Sequence, residues 1–239
     1  MDRNRVDARF PPLSDHICLL GFRLNRNGVR ELGLSSMAKS ETLRLIVGIS
    51  GASGVAYGLR ALDACRDLGV ESHLVMSRSS ALTLAQETEL SLADVQARAD
   101  VAHKVGDVGA SIASGSFQTL GMVVAPCSVR TMSEIASGVT ASLLTRAADV
   151  TLKERRTLVL MVRETPLHLG HLRTMVRLSE MGAVIAPPVP AFYAKPRSLA
   201  EMVDQSVGRV LDLFGLTWRP VKRWGEDIGP VGPAAPDES

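Results

Sequence analysis

Five short apolar runs, each followed at once by a loop of small, polar or charged residues, constrain this chain more than any other feature. LRLIVGI (Leu43–Ile49) meets SGASG, ESHLVMS runs into SRSS, GMVVAPC continues into SVRT, RTLVLMVRE ends in RET, and AVIA turns into PPVPAFY. The runs are short and rich in β-branched residues, as buried parallel strands are. Helical period lies between them: Val55, Leu59, Leu62 and Cys65 recur at spacings of four, three and three before Gly69. A serine suited to capping opens SLADVQARAD, and a last amphipathic helix is expected from Leu199 to Phe214. Strand and helix signals that alternate in this way predict a doubly wound, Rossmann-like parallel sheet in a three-layer α/β/α arrangement.

The flanks look different. Residues 1–40 hold scattered Arg, Asn, Gly and Pro without sustained periodicity and read as a poorly ordered extension, with Met37 a candidate start. The expected division is therefore 1–40 extension, 41–216 domain and 217–239 tail or lid. Net charge is +2 and six Arg against four acids in residues 1–36 account for the excess, so the body carries no basic field for a nucleic-acid backbone. No apolar run reaches the length of a membrane span. Cys18, Cys65 and Cys127 form no CxxC pair, which points to reduced thiols and a cytoplasmic setting.

In open parallel sheets ligands bind beyond the carboxyl ends of the strands, so the five loops are the place to look for chemistry. Ser50-Gly51-Ala52-Ser53-Gly54 joins a strand to a helix, where backbone N–H groups and the positive helix end favour a phosphate; close strand-to-helix packing explains the small residues equally well. Neither the G-x-G-x-x-G nor the G-x-x-x-x-G-K-[ST] spacing is present. Pro126–Thr131 offers a second helix entrance, open both to a ligand and to ordinary capping, and Cys127, with no His near it in sequence, reads as a packed thiol. Arg146 and Lys153 are seven apart and so share a helix face, while Arg163-Glu164 closes a strand; these cations suit phosphate-bearing ligands. Glu87 and Glu89 read as helix-end acids, and His168 and His171 as surface polarity. Aromatics are only 4% of the chain, yet Trp218 and Trp224 both follow the last helix, where a Trp can fold back as a lid.

Taken together, SGASG, AQETE, ASGSF, APCSVRT, RAADVTLKERR, LVLMVRETPL, PAFY, VGRVLDLFG and RWGE resemble the UbiX-type flavin prenyltransferases, a branch of the flavoprotein group that also contains flavin-dependent cysteine decarboxylases. The resemblance implies transfer of the dimethylallyl group of dimethylallyl phosphate to reduced FMN. The prenylated FMN so made is the cofactor of UbiD-type decarboxylases, with ubiquinone synthesis one usual setting. It further implies that Gly51, Ala52, Ser53, Ser77, Ser128, Val129, Arg130, Thr131 and Arg146 hold FMN, and that Lys153, Arg163, Tyr193 and Arg209 surround the ester phosphate. Ser53, Glu87, Lys153, Glu164 and Trp224 would take part in catalysis, Ser53 and Glu164 handling protons and Trp224 covering the prenyl site. No Asp-rich magnesium-diphosphate motif appears, so no metal is implied. A homo-oligomer, a dodecamer by resemblance, with sites at subunit interfaces is expected. Two alternatives differ in chemistry: an FMN-binding decarboxylase, whose usual early His and PXMNXXMW-like segment are lacking, and a non-catalytic FMN-binding subunit of a decarboxylase. Ser50 stands where the family commonly has Thr, and Ala141-Ser142 where it often has asparagine.

Overall fold

The structure is a computed structural model that describes residues 42–229. The expectations for the extension at 1–40, for Met37 and Cys18, and for the last ten residues lie outside the described residues. Six parallel strands, β1 (Arg44–Ile49), β2 (Glu71–Met76), β3 (Val101–His103), β4 (Gly121–Cys127), β5 (Thr157–Val162) and β6 (Val184–Ile185), form one sheet in the order β3-β2-β1-β4-β5-β6. That order reverses between β1 and β4, and the loops after these two strands flank the switch point where doubly wound sheets bind ligands. Five of the strands follow the apolar runs. The sixth, β3, carries no apolar run and pairs only along β2.

Two cores follow from the alternation of side chains along each strand. On one face Leu45, Val47 and Ile49 of β1, Val123 of β4 and Met161 of β5 pack with α1 (Val55–Asp67) and α7 (Leu199–Leu211). On the other, Ile46, Met122, Val124, Leu158 and Leu160 meet α4 (Val129–Ala136), α5 (Leu143–Lys153) and α6 (Leu169–Glu180). Helices α2 (Ser80–Glu87) and α3 (Leu92–Gln96) complete the α segments, with α3 closed by a Ser91–Asp94 capping box. Gly58 is what lets α1 lie so close to the sheet, because a Cβ there would stand 2.4 Å from the Ala125 carbonyl and 2.6 Å from Ile49. The last helix is α-helical only to Leu211 and tightens into a 3-10 turn over Asp212–Phe214.

Beyond that turn the chain does not leave the body. Trp218 is buried, donates its indole N–H to Asp67 at 3.0 Å and lies under the Arg60 guanidinium at 4.7 Å, so it is a core residue rather than a cover. Gln205 holds the next residues by a two-way pair, accepting from the Lys222 N–H and donating to its carbonyl, both at 3.0 Å. No helix among the described residues is long and apolar enough to cross a membrane.

Candidate active site

The two loops at the switch point are tied by one hydroxyl. Ser50 is fully buried; its Oγ donates to the Pro126 carbonyl at 2.9 Å and accepts from the Ser128 N–H at 2.7 Å. Gly51 has a related reason: a Cβ there would meet Ser79 Oγ at 2.2 Å, so the residue admits the loop after β2 against the loop after β1. Ser77 continues that contact, its hydroxyl lying 3.1 Å from Ser79 Oγ and accepting from the Ser80 N–H.

Some of the amides at the two helix entrances are taken by side chains. Glu87, the last residue of α2, accepts from the Gly54 N–H with both carboxylate oxygens (3.0 and 2.9 Å) and from the Val55 N–H at 2.9 Å. A carboxylate at the positive end of α1 is electrostatically favoured, and Glu87 takes that place in the chain itself. At α4 the Ser128 N–H goes to Ser50, and Ser128 Oγ accepts from the Thr131 N–H at 3.3 Å. Side chains thus take part of the amide set at each N-terminus, Gly54 and Val55 at α1 and Ser128 and Thr131 at α4. Ala52 and Ser53 lie at the same rim, Ser53 exposed.

A cavity of about 480 Å³ opens beside these loops, walled by Ser77, Arg78, Arg130, Thr131, Ala141 and Ser142. Arg130 is largely exposed and donates to Glu134 at 2.8 Å, and Val129 begins α4 behind it. Ser142 caps α5 reciprocally with Thr145. One turn inside α5, half-buried Arg146 donates to Asp149 at 2.8 Å, an i,i+3 partner legible in the spacing but not singled out from it.

A second cavity, about 400 Å³, lies at the same carboxyl rim beyond β5 and β6. Tyr193 and Arg209 both line it, together with Met161 and Pro187–Pro190. Trp224 is 65% exposed and meets Tyr193 edge-on with ring centroids 6.0 Å apart. Arg209 donates to Asp212, which also receives Arg223. The exposed pair Arg163-Glu164 follows β5 and lines neither cavity: the Arg163 N–H donates to the Cys127 carbonyl at 3.0 Å, and Glu164 accepts from the Thr165 N–H at 2.9 Å. Burial raises the phenol of nearby Tyr57, and the Arg163 charge opposes that rise.

Lys153 is elsewhere. It closes α5 four residues before β5 begins, pairs with Glu154, and lines a different cavity with Arg155 and Arg156. The shared helix face does not bring it to Arg146: seven residues separate them along the axis by about 10 Å, and the six-residue strand that follows carries the chain back over about 20 Å before Arg163 is reached. One copy of the chain therefore splits the expected cation set between opposite rims of the sheet.

The remaining titratable residues are structural. Burial pushes the Cys65 and Cys127 thiols up to about 12, so both are packed and unreactive. His168 is not mere surface polarity: its Nδ1 caps α6, accepting from the Gly170 N–H at 3.0 Å. His73, 3% exposed, sits between Glu71 (2.8 Å) and His103 (3.0 Å), a chain unannounced by any sequence spacing. Among the described residues no cluster of three or more His, Cys, Asp or Glu is arranged to hold a metal ion.

Comparison with known proteins places these features among flavin proteins. Residues 34–211 match the flavoprotein family. Flavin prenyltransferase UbiX of Escherichia coli K12 is 62% identical over 175 residues, 73% of this chain and 93% of that protein. A crystal structure of AnUbiX (PadA1) in complex with FMN and dimethylallyl pyrophosphate superposes with a TM-score of 0.75 at 49% identity, over 76% of this chain and 97% of that one. A dodecameric FMN-dependent UbiX-like decarboxylase from Escherichia coli O157:H7 gives 0.74 at 48% identity, over 76% and 99%.

Proposed function

The chain belongs to the UbiX-type flavin prenyltransferases of the flavoprotein family, and from that premise we propose that it transfers the dimethylallyl group of dimethylallyl phosphate to reduced FMN, yielding prenylated FMN. The observation that carries this reading is the meeting of Tyr193 and Arg209 on one cavity at the rim that also holds the SGASG and Ser128–Thr131 loops. The first cavity fits a flavin mononucleotide in chemistry, since Ser77, Thr131 and Ser142 supply hydroxyls and Arg130 a cation, with Arg146 one turn into the helix that Ser142 caps. Bound there, reduced FMN supplies the nucleophilic ring edge at N5 and C6.

The chain's own residues then have separable work. Breaking the allylic C–O bond leaves negative charge on the departing phosphate, which Arg209 and Arg163 meet as fixed cations, with Tyr193 as a donor. Cationic character on the five-carbon fragment is met by aromatic faces, and Trp224 beside Tyr193 covers the prenyl cavity and excludes water. Glu164 and Ser53 hold or move the protons released at C6 and N5, the departing phosphate sharing that task. Glu87 acts at the edge of this chemistry, fixing the Gly54 and Val55 amides so that Ser53 is presented at the rim. Lys153 joins the phosphate group from a neighbouring copy, in a homo-oligomer of the kind described for the dodecameric relative. The product passes to a UbiD-type decarboxylase, and the setting is cytoplasmic, in keeping with the packed, reduced thiols of Cys65 and Cys127.

The test is incubation of the protein with reduced FMN and dimethylallyl phosphate, followed by mass analysis. Gain of one C5H8 unit by the flavin is expected; FMN retention without that gain overturns the transfer and leaves a flavin carrier.

A further inference from the structure

One carboxylate joins the ester-binding side of the site to the segment that carries its aromatic cover. Asp212, in the 3-10 turn after α7, has a side chain only 19% exposed. Its Oδ2 accepts from Arg209 Nη1 and also from Arg223 Nη1 at 3.1 Å, while its Oδ1 accepts from Arg223 Nη2 at 2.7 Å. Arg209 lines the cavity shared with Tyr193. Arg223 organises the turn that displays Trp224: its carbonyl accepts from the Glu226, Asp227 and Ile228 N–H groups, and its own N–H donates to Asp227 at 2.9 Å. Trp224 then packs on Tyr193, which closes the circuit.

We propose that Asp212 is a positioning residue that couples occupancy at Arg209 to the placement of Trp224. The proposal rests on the reading of Arg209 as a cation for the ester phosphate. Two guanidiniums compete for Oδ2, so an anion that draws Arg209 toward the cavity frees that oxygen for Arg223, whose fork then holds both carboxylate oxygens without a rival. The Trp224 turn is more tightly fixed when the phosphate is in place than when it is not. By reciprocity a fixed turn favours phosphate binding by the same factor. Asp212 touches neither substrate and acts only through the two arginines.

The readout is already built in. Trp218 is 2% exposed, so acrylamide-quenchable indole emission reports Trp224. In the unaltered protein, dimethylallyl phosphate or inorganic phosphate should reduce that quenching. Asp212→Asn and Arg223→Ala should abolish the reduction and raise KM for the ester about tenfold, with FMN retention unchanged. Arg223→Lys, which keeps a charge without the fork, should recover part of both effects. Should Asp212→Asn fold poorly, Arg223→Ala alters only the tail side and carries the test alone. Wild-type quenching protection and KM in these variants would overturn the coupling. Protection by inorganic phosphate is read without turnover, so the coupling is judged separately from the transfer reaction; absence of a flavin mass gain in the unaltered protein would strike the parent reading instead.

Discussion

At the scale of the residue, the useful distinction is between side chains that hold the rim together and side chains that meet ligands. Glu87 holds: its carboxylate ends at the Gly54 and Val55 amides, so Glu87→Gln, which keeps one acceptor and loses the charge, should cost about 1 kcal/mol in denaturant unfolding. Glu164 shows the opposite profile, exposed and bonded only to the adjacent Thr165 N–H. Glu164→Gln should retain FMN while slowing prenyl transfer by about a hundredfold, the usual worth of a positioned proton carrier, as followed by flavin mass. Arg146→Ala should instead weaken FMN retention in equilibrium titration. The sequence pointed to all three residues by type and place, but it could not divide their labour. Helix-end acids and helix-entrance amides look alike until the loop after α2 is seen folding back on α1.

Elements explain what the pattern of runs conveyed and what it missed. The strands that carry an apolar run were legible, and in β1, β4 and β5 burial on both faces writes itself as a nearly continuous apolar sequence. Strand β3 was not: Val101 and Ala102 are exposed at the sheet edge, and the strand is recruited by pairing with β2 rather than by its own composition. Its His103 completes the Glu71–His73 chain, which sets an acid dependence. Hydrogen bonding from His73, and then Arg44, holds the Glu71 carboxyl below its ordinary range, while burial, then the His73 charge, hold the His103 imidazole below its own. Both groups bind fewer protons folded than unfolded, so each adds stability that falls away as pH drops, His103 just below the ordinary imidazole value and Glu71 just below the ordinary carboxylate value. Unfolding midpoints measured from neutral pH downward should therefore fall in both windows, and Glu71→Gln should flatten the lower one. Gly58 makes the complementary point about packing: Gly58→Ala puts a Cβ 2.4 Å from a strand carbonyl and should destabilise by about 1–3 kcal/mol in the same assay.

For the whole molecule, strand polarity decides what one copy can do alone. The Ser53, Glu164 and Tyr193 segments and Arg209 of α7 lie at one rim and Lys153 at the other, a separation hidden in the sequence because helical spacing records angle and not distance along the sheet. Mixing Lys153→Ala and Glu164→Gln copies, each slow alone, before assembly should restore up to about a quarter of the sites, since only the half of the copies that keep Glu164 can host one and half of these meet a neighbour that keeps Lys153; no recovery would overturn the supply of Lys153 by a neighbouring copy. The seam between the two halves of the sheet has its own consequence. A buried hydroxyl, that of Ser50, clasps strands that no covalent link joins at that level, like a catch on the spine of a book. Any breathing of one half against the other has to undo that catch. The rate at which the Ser128 amide gives up its hydrogen to solvent would thus time how often the crevice widens, independently of whether anything is bound inside it.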